Sequence, residues 1–109
     1  MALLATQVPG PSGLAPAYAA ASAGGDTYTP GAGVVLHVKN GSAAAVTVTV
    51  DSRVPCSQGV DHDLAVSVPA AGERMIGPLT PGRFADSSGI GGITYSAAAN
   101  LTVAVLGLG

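Results

Sequence analysis

The residue types that most often do chemistry are concentrated in one stretch, Cys56 to Asp63, which reads CSQGVDHD. A thiol, an imidazole and two carboxylates can bind metals or take part in acid–base catalysis. The spacing fits no zinc site, because the chain has one cysteine and no histidine pair at ligand spacing. On a strand, Asp61 and Asp63 would point to one side and His62 to the other. We interpret the stretch as a solvated loop entering a strand, with Asp61 or Asp63 accepting hydrogen bonds from backbone amides.

The other candidate motifs lack the context that their chemistry needs. Ser87-Ser88-Gly89 stands outside a G-x-S-x-G frame, so it predicts a turn rather than a nucleophile elbow. The glycine-rich residues 89–92 precede a predicted strand, whereas a phosphate-binding loop precedes a helix. His37 falls on the polar side of its strand, as an exposed or interface residue. The sequence therefore predicts no enzyme, no metal and no cofactor.

Charge is sparse along the whole chain. Four basic and six acidic residues make up 9% of the 109 positions, against about 25% in ordinary soluble domains. Soluble monomers avoid large uncharged apolar patches, so we expect other subunits to cover part of this surface. A small monomer with a Ser/Thr/Gly surface is the alternative. The basic residues are scattered and form no stripe, which argues against a nucleic-acid partner.

Two uncharged stretches resemble export or membrane segments at first sight. The first 25 residues lack a basic n-region, and Pro9 and Pro11 interrupt their apolar run. Ser87–Gly109 contains Gly, Ser, Asn and Thr and alternates with a period of two, which is typical of strands. We expect no signal peptide, no membrane partner and synthesis in the cytosol.

The elements that position these residues are predicted to be strands. Apolar and polar residues alternate, with many β-branched side chains, in the runs 34–39, 46–51, 64–68, 93–96 and 101–106. A shorter run covers 74–76. This pattern predicts an all-β fold, a small antiparallel β-sandwich or barrel of six to seven strands over residues 32–109.

Residues 1–31 differ in composition and are predicted to form an extended N-terminal arm. The arm is rich in Pro, Gly, Ala and Ser, with short strands expected near 2–7 and 27–29. A disordered arm is one possibility. We favour an arm ordered against the domain or a neighbouring subunit, because a simple tether needs no apolar anchors. The anchors are Leu3, Leu4, Val8, Leu14 and Tyr18.

The pair Asn40-Gly41 predicts a β-hairpin between runs 34–39 and 46–51. A two-residue loop would place the apolar residues of the two strands on opposite faces. A three-residue loop, Lys39-Asn40-Gly41, places Val34 opposite Val46 and puts both apolar sets on one face. We therefore predict the longer loop, with Gly41 in the left-handed conformation.

The window Ser67–Phe84 combines three prolines with Glu73, Arg74 and Arg83. Prolines on both sides of a short strand indicate a sheet edge or a crossing between sheets. Charge at such a place protects an edge against wrong pairing. Arg74 or Arg83 could instead face a carboxylate of a partner. The candidate assembly contacts are these two arginines, the arm anchors, Tyr28 and Phe84.

Three segments together carry a family resemblance: LHVKNGSAAAVTVTVDS, DHDLAVSVPAAGERMIGPLTPGRFAD and ITYSAAANLTVAVLGL. They resemble the small all-β head decoration, or cement, proteins of tailed bacteriophages. Shared features are a leading arm, a V-K-N-G turn, a V-P-A-x-G turn, an I-G-P segment and a Thr/Val-rich final strand. The resemblance covers about two thirds of the chain, from Leu36 to Val105.

The resemblance implies a structural role on a virus particle. Such a protein is made in the cytoplasm of the bacterial host, binds the major capsid protein on the outer face of the assembled head, and reinforces it, often as a homotrimer. The alternatives are a fibre or receptor- and carbohydrate-binding β-module, or a small enzyme. Three aromatic side chains on one exposed face would favour carbohydrate binding; Tyr18, Tyr28, Tyr95 and Phe84 are the candidates.

Overall fold

The computed structural model describes residues 3–52, 63–85 and 88–107, which form ten strands and one helical turn. The elements are β1 Leu3–Leu4, β2 Thr6–Gln7, β3 Ala19–Ala20, β4 Asp26–Tyr28, β5 Val34–Asn40, β6 Val46–Val50, β7 Leu64–Val68, β8 Glu73–Ile76, α1 Pro81–Phe84, β9 Gly91–Tyr95 and β10 Leu101–Gly107. The predicted all-β fold is confirmed, and six of the strands lie between residues 32 and 107.

The strands form two sheets. The first has the order β1-β4-β9-β6-β7. The second has the order β2-β10-β5-β8, and β3 also pairs with β10. All pairs among β5 to β10 are antiparallel, as predicted. Both sheets are nevertheless mixed, because β1 pairs in parallel with β4 and β2 pairs in parallel with β10.

The hydrophobic core lies between the sheets and follows from the period-two pattern. Val34, Leu36 and Val38 of β5 are buried from the second sheet, and the valines of β6 are buried from the first. Valine fills little volume, so a few larger side chains complete the core. The largest of these are Tyr28, Leu36, Leu79, Phe84, Ile93 and Leu101. No helix among the described residues has the length and apolar character needed to cross a membrane.

The predicted hairpin between β5 and β6 is wrong. β5 pairs with β8 and β10, whereas β6 pairs with β7 and β9, so the two strands belong to different sheets. Gly41 is not among the glycines with positive φ. The apolar residues of β5 and those of β6 do face a common core, but from its two opposite sides. The segment 41–45 therefore carries the chain across the sandwich instead of turning it back within one sheet.

The window Ser67–Phe84 contains another crossing between the sheets. β7 is an edge of the first sheet and β8 is an edge of the second, as the flanking prolines indicated. A turn joins them: Gly72 N donates to Pro69 O at 3.0 Å, and Ala71 has φ of 56°. After β8, Pro81–Phe84 form the single helical turn α1, which buries Phe84.

The left-handed backbone of Ala71 gives a first prediction. A side chain in that conformation costs roughly 1–2 kcal/mol, which glycine avoids, although glycine loses about 0.4–1 kcal/mol through the entropy of the unfolded chain. We expect Ala71→Gly to raise the free energy of unfolding by about 0.5–1 kcal/mol in urea denaturation. Ala70→Gly is the matched control, because Ala70 has no positive φ. It should lower stability, and a loss in both variants would contradict the prediction.

Candidate assembly surface

Residues 3–31 of the arm lie along both sheets. β1 forms the edge of the first sheet and β2 lies along the edge of the second, with Ala5 between them. The chain thus closes one flank of the sandwich within three residues. β3 continues the coverage of β10, since Ala19 lies opposite Val103. The arm is ordered against its own domain.

The candidate assembly contacts in the arm include both buried and exposed residues. Leu4 and Tyr28 belong to the core, with 8% and 0% of their surface exposed. Leu3, Val8 and Leu14 are 63%, 56% and 37% exposed. We call these three side chains the arm surface. In the described part of the chain, Met75 on β8 is the one other exposed large apolar side chain.

Gln7 fixes the conformation of the part of the arm that carries Val8 and Leu14. Its Nε2 donates to Ala17 O at 2.8 Å, and its Oε1 accepts from Ala17 N at 2.9 Å. This two-bond contact closes residues 8–16 into a loop that carries Val8 and Leu14. Inside the loop, Gly13 N donates to Gly10 O at 2.9 Å, and Gly13 adopts φ of 92°. Val8 and Leu14 are therefore presented by a closed loop, whereas Leu3 lies outside it on β1.

An apolar cavity of about 410 Å³ lies between the arm and β10. Its lining includes Leu3, Leu4 and Gln7 from the arm and Val103 and Val105 from β10. The exposed Leu3 lines this cavity, so the cavity adjoins one residue of the arm surface.

Tyr18 fastens the far end of the arm to the second sheet. Its hydroxyl lies 2.7 Å from Nδ1 of His37, and Nε2 of His37 lies 2.8 Å from Oε1 of Glu73. In the tautomer that satisfies both bonds, His37 donates to the carboxylate and accepts from the tyrosine. Nζ of Lys39 lies 4.2 Å from the centre of the Tyr18 ring, a cation–π contact. His37 is therefore an interface residue within the chain, a role that sequence spacing does not reveal.

The remaining candidate contacts lie elsewhere. Arg74 is exposed on β8, and its Nη1 donates to the carbonyl oxygen of Glu73 at 2.7 Å. Arg83 is exposed on α1, with its guanidinium 4.9 Å from the centre of the Phe84 ring. Phe84 itself fills the core, with 2% of its surface exposed. These two arginines stand on different elements and belong to neither the arm nor its cavity.

A second, polar pocket of about 400 Å³ opens on the first sheet. Asp26, Asp51 and Asp63 contribute to its lining, together with Thr27, Thr49 and Thr94. Asp63 accepts a hydrogen bond from Ser52 N at 2.9 Å, as predicted for a capping residue. Cys56, Asp61 and His62 lie outside the described residues. Within the described residues, no three His, Cys, Asp or Glu side chains are placed to hold a metal ion.

Asp26 is the most buried acidic residue of this pocket, at 1% exposure. Its Oδ2 accepts from the Tyr95 hydroxyl at 2.8 Å and from Ser22 N at 3.2 Å. Burial raises the pKa of Tyr95 well above its ordinary value of 10.0, and the hydrogen bond to Asp26 and the carboxylate charge raise it further. No local pattern in the sequence predicts this pair, because Tyr95 lies 69 residues beyond Asp26 in the chain.

The raised pKa of Tyr95 predicts a loss of stability at high pH. The folded state keeps Tyr95 protonated, whereas the unfolded chain ionises it above about pH 10. The stabilisation is complete below that pH and is lost as the pH rises toward the folded pKa. We expect the unfolding free energy to fall between pH 10 and 12, and to fall less steeply in Tyr95→Phe. Equal slopes in urea denaturation would contradict this.

The four aromatic candidates for a carbohydrate site do not share an exposed face. Tyr28 and Phe84 are in the core. Of the half-buried pair, Tyr95 lies on β9 of the first sheet, whereas Tyr18 precedes β3 and contacts His37 of the second sheet. Comparison with known proteins adds no relative: no family model, no curated protein and no solved structure matches the chain.

Proposed function

We propose that this protein binds the outer surface of an assembled bacteriophage head and reinforces it, as a homotrimeric decoration protein. The observation that carries the proposal is that three of the four exposed large apolar side chains of the described residues, those of the arm surface, lie within the first 14 residues of the chain. The proposal also draws on the sequence resemblance to head decoration proteins and on the sparse charge of the chain. Such a role needs contact surfaces and no catalytic residue.

In this proposal the sandwich is a rigid scaffold, and the arm makes the contact with the phage head. The Gln7 contact with Ala17 and the Tyr18 contact with His37 hold the arm in place before binding. A surface that is already ordered loses less conformational entropy when it binds. Many identical copies on a symmetric particle then add weak contacts into strong retention. The proposed partners are the major capsid protein and further copies of this chain.

The test replaces the arm surface with polar residues. The triple variant Leu3→Ser, Val8→Ser and Leu14→Ser should bind heads purified from the phage that carries this gene at least about tenfold more weakly, since each buried apolar side chain contributes about 1.5–3 kcal/mol. Unfolding in urea should change little, because all three side chains are exposed. Co-sedimentation with the heads measures binding.

Met75→Ser is the matched control, because Met75 is 59% exposed but lies on β8 and does not belong to the arm surface. It should bind the heads as the unmodified protein does. If the triple variant binds the heads as tightly as the unmodified protein, the arm surface is not the contact with the head. Electron microscopy that places this chain in the tail, or that finds none on the head, would overturn the proposal as a whole.

A further inference from the structure

The two flanks of the sandwich differ. The arm closes one flank at β1 and β2, whereas β7 and β8 stand at the edges of the other. The two edge strands at this open flank are protected to different degrees. An unprotected edge offers free backbone groups to another strand, so natural proteins usually place charge, proline or a bulge there.

β8 is protected by inward-facing charge. Arg74 lies opposite Val38, so it occupies a position that faces the other sheet, yet it is exposed. A second strand docked against β8 would bury this guanidinium in an apolar layer, which is costly. Glu73 adds charge at the start of the strand, and Pro78 follows its end.

β7 has no charged side chain within the strand, and its flanking residues Asp63 and Pro69 stand outside its two ends. Its sequence, LAVSV, contains no charge and no proline. Leu64 and Val66 face the core but remain half-buried at the open flank, because no described strand lies beyond them in the first sheet. A strand added beside β7 would cover both side chains.

The hydrogen-bond pattern of β6 fixes which groups of β7 are available. Ser96 N donates to Thr47 O and Asp51 N donates to Gly92 O, both at 2.9 Å, so alternate residues of β6 bond to β9. The backbone N–H and C=O groups of Val46, Val48 and Val50 therefore point toward β7, where these residues lie opposite Val68, Val66 and Leu64. The N–H and C=O groups of Ala65 and Ser67 point away from β6, toward the open edge.

We propose that two copies of this chain associate through antiparallel pairing of their β7 strands, with the two-fold axis at Val66. This register places Ala65 of each copy opposite Ser67 of the other. The outward-pointing groups of these residues then form four hydrogen bonds. Leu64 lies opposite Val68 on the core side, so the half-buried side chains of the two copies cover each other.

The symmetry of this strand identifies the partner as a second copy of the same chain. The strand is complementary to itself in hydrogen bonding, in small outward residues and in apolar inward residues, which an isologous contact requires. The pairing goes beyond the proposed role on a phage head and does not depend on it. It is a two-fold contact, distinct from any three-fold contact within a trimer. One strand from each copy is a small interface, so association is expected at high protein concentration.

The experiment compares a proline on each edge strand. Ser67→Pro removes one outward N–H from each copy, and an edge strand tolerates proline there. On β8, Asn40 N donates to Gly72 O and Leu79 N donates to Val34 O, which leaves the N–H of Met75 pointing outward. Met75→Pro is therefore the matched control. Sedimentation velocity over a concentration series should show reversible association of the unmodified protein, weakened at least about tenfold by Ser67→Pro and unchanged by Met75→Pro.

Two further variants cover the case in which proline unfolds the chain. Ala65→Lys and Met75→Lys add a charge to exposed positions of the two edges, and only the first should weaken association. In a Cys56→Ser background, Val66→Cys should form a disulfide-linked dimer, because directly opposite residues without mutual hydrogen bonds have Cα atoms about 4.5 Å apart. Absence of association up to about 1 mM, or equal weakening by changes on both edges, would overturn the pairing.

Discussion

Phe84→Ala is expected to lower the free energy of unfolding by about 3–5 kcal/mol, the usual cost of removing a buried phenylalanine. Phe84 is 2% exposed and is one of the largest side chains in a core made mainly of valine. Small residues around it cannot move far enough to fill the space. A domain of this size is stable by roughly 5–15 kcal/mol, so the variant should be close to unfolding.

Urea denaturation followed by circular dichroism measures the loss. Met75→Ala removes an exposed apolar side chain and should change stability by less than about 0.5 kcal/mol. If Phe84→Ala keeps its stability but no longer binds phage heads, Phe84 acts as an assembly contact and not as a core residue.

Asn40→Ala is expected to lower the free energy of unfolding by about 2–4 kcal/mol, because it leaves several polar groups without partners near the core. Asn40 is 2% exposed. Its Nδ2 donates to Ala44 O, Val68 O and Pro69 O at 2.9, 3.1 and 3.2 Å. Its Oδ1 accepts from the backbone N and the hydroxyl of Ser42. One side chain thus joins the end of β5 in one sheet to the end of β7 in the other.

A graded set of variants tests this role of Asn40. Ser42→Ala removes one bond and should cost about 1 kcal/mol. Asn40→Asp should cost at least as much as Asn40→Ala at neutral pH, because a carboxylate there faces carbonyl oxygens. This environment raises the pKa of the introduced carboxyl group above its usual value of about 3.9. The stability of Asn40→Asp should therefore be higher at acid pH and should fall as the pH rises. A loss for Asn40→Ala no larger than that for Ser42→Ala would contradict the interpretation.

Asn40 also shows where sequence reasoning stopped. The alternation around it correctly predicted strands and the residues that face the core, because the period of two depends on the strand alone. The pairing of β5 and β6 was wrong, because the Asn-Gly pair has the same local signature in a hairpin as in a crossing segment. What distinguishes the two cases is the contact of Asn40 with Val68 and Pro69, distant residues whose position no local pattern specifies.

The arm shows the same division between local and distant information. Apolar anchors predicted that it would be ordered, but not which anchors would be buried. Leu4 enters the core and Leu3 does not, because a strand places successive side chains on opposite faces. The contact of Tyr18 with His37 joins the arm to β5 and forms only when the two are packed together. No local spacing in the sequence predicts it.

The pairing of β2 with β10 has a consequence for how the protein folds. Thr6 lies opposite Val105, so the start of the arm must wait for a strand about 100 residues further along the chain. Contacts between such distant segments slow folding, because the intervening chain must be ordered first. During synthesis, residues 3–7 leave the ribosome long before their partner exists. Leu4 cannot be fully buried until β10 emerges, and this interval is when newly made chains are most open to capture by a chaperone or by one another.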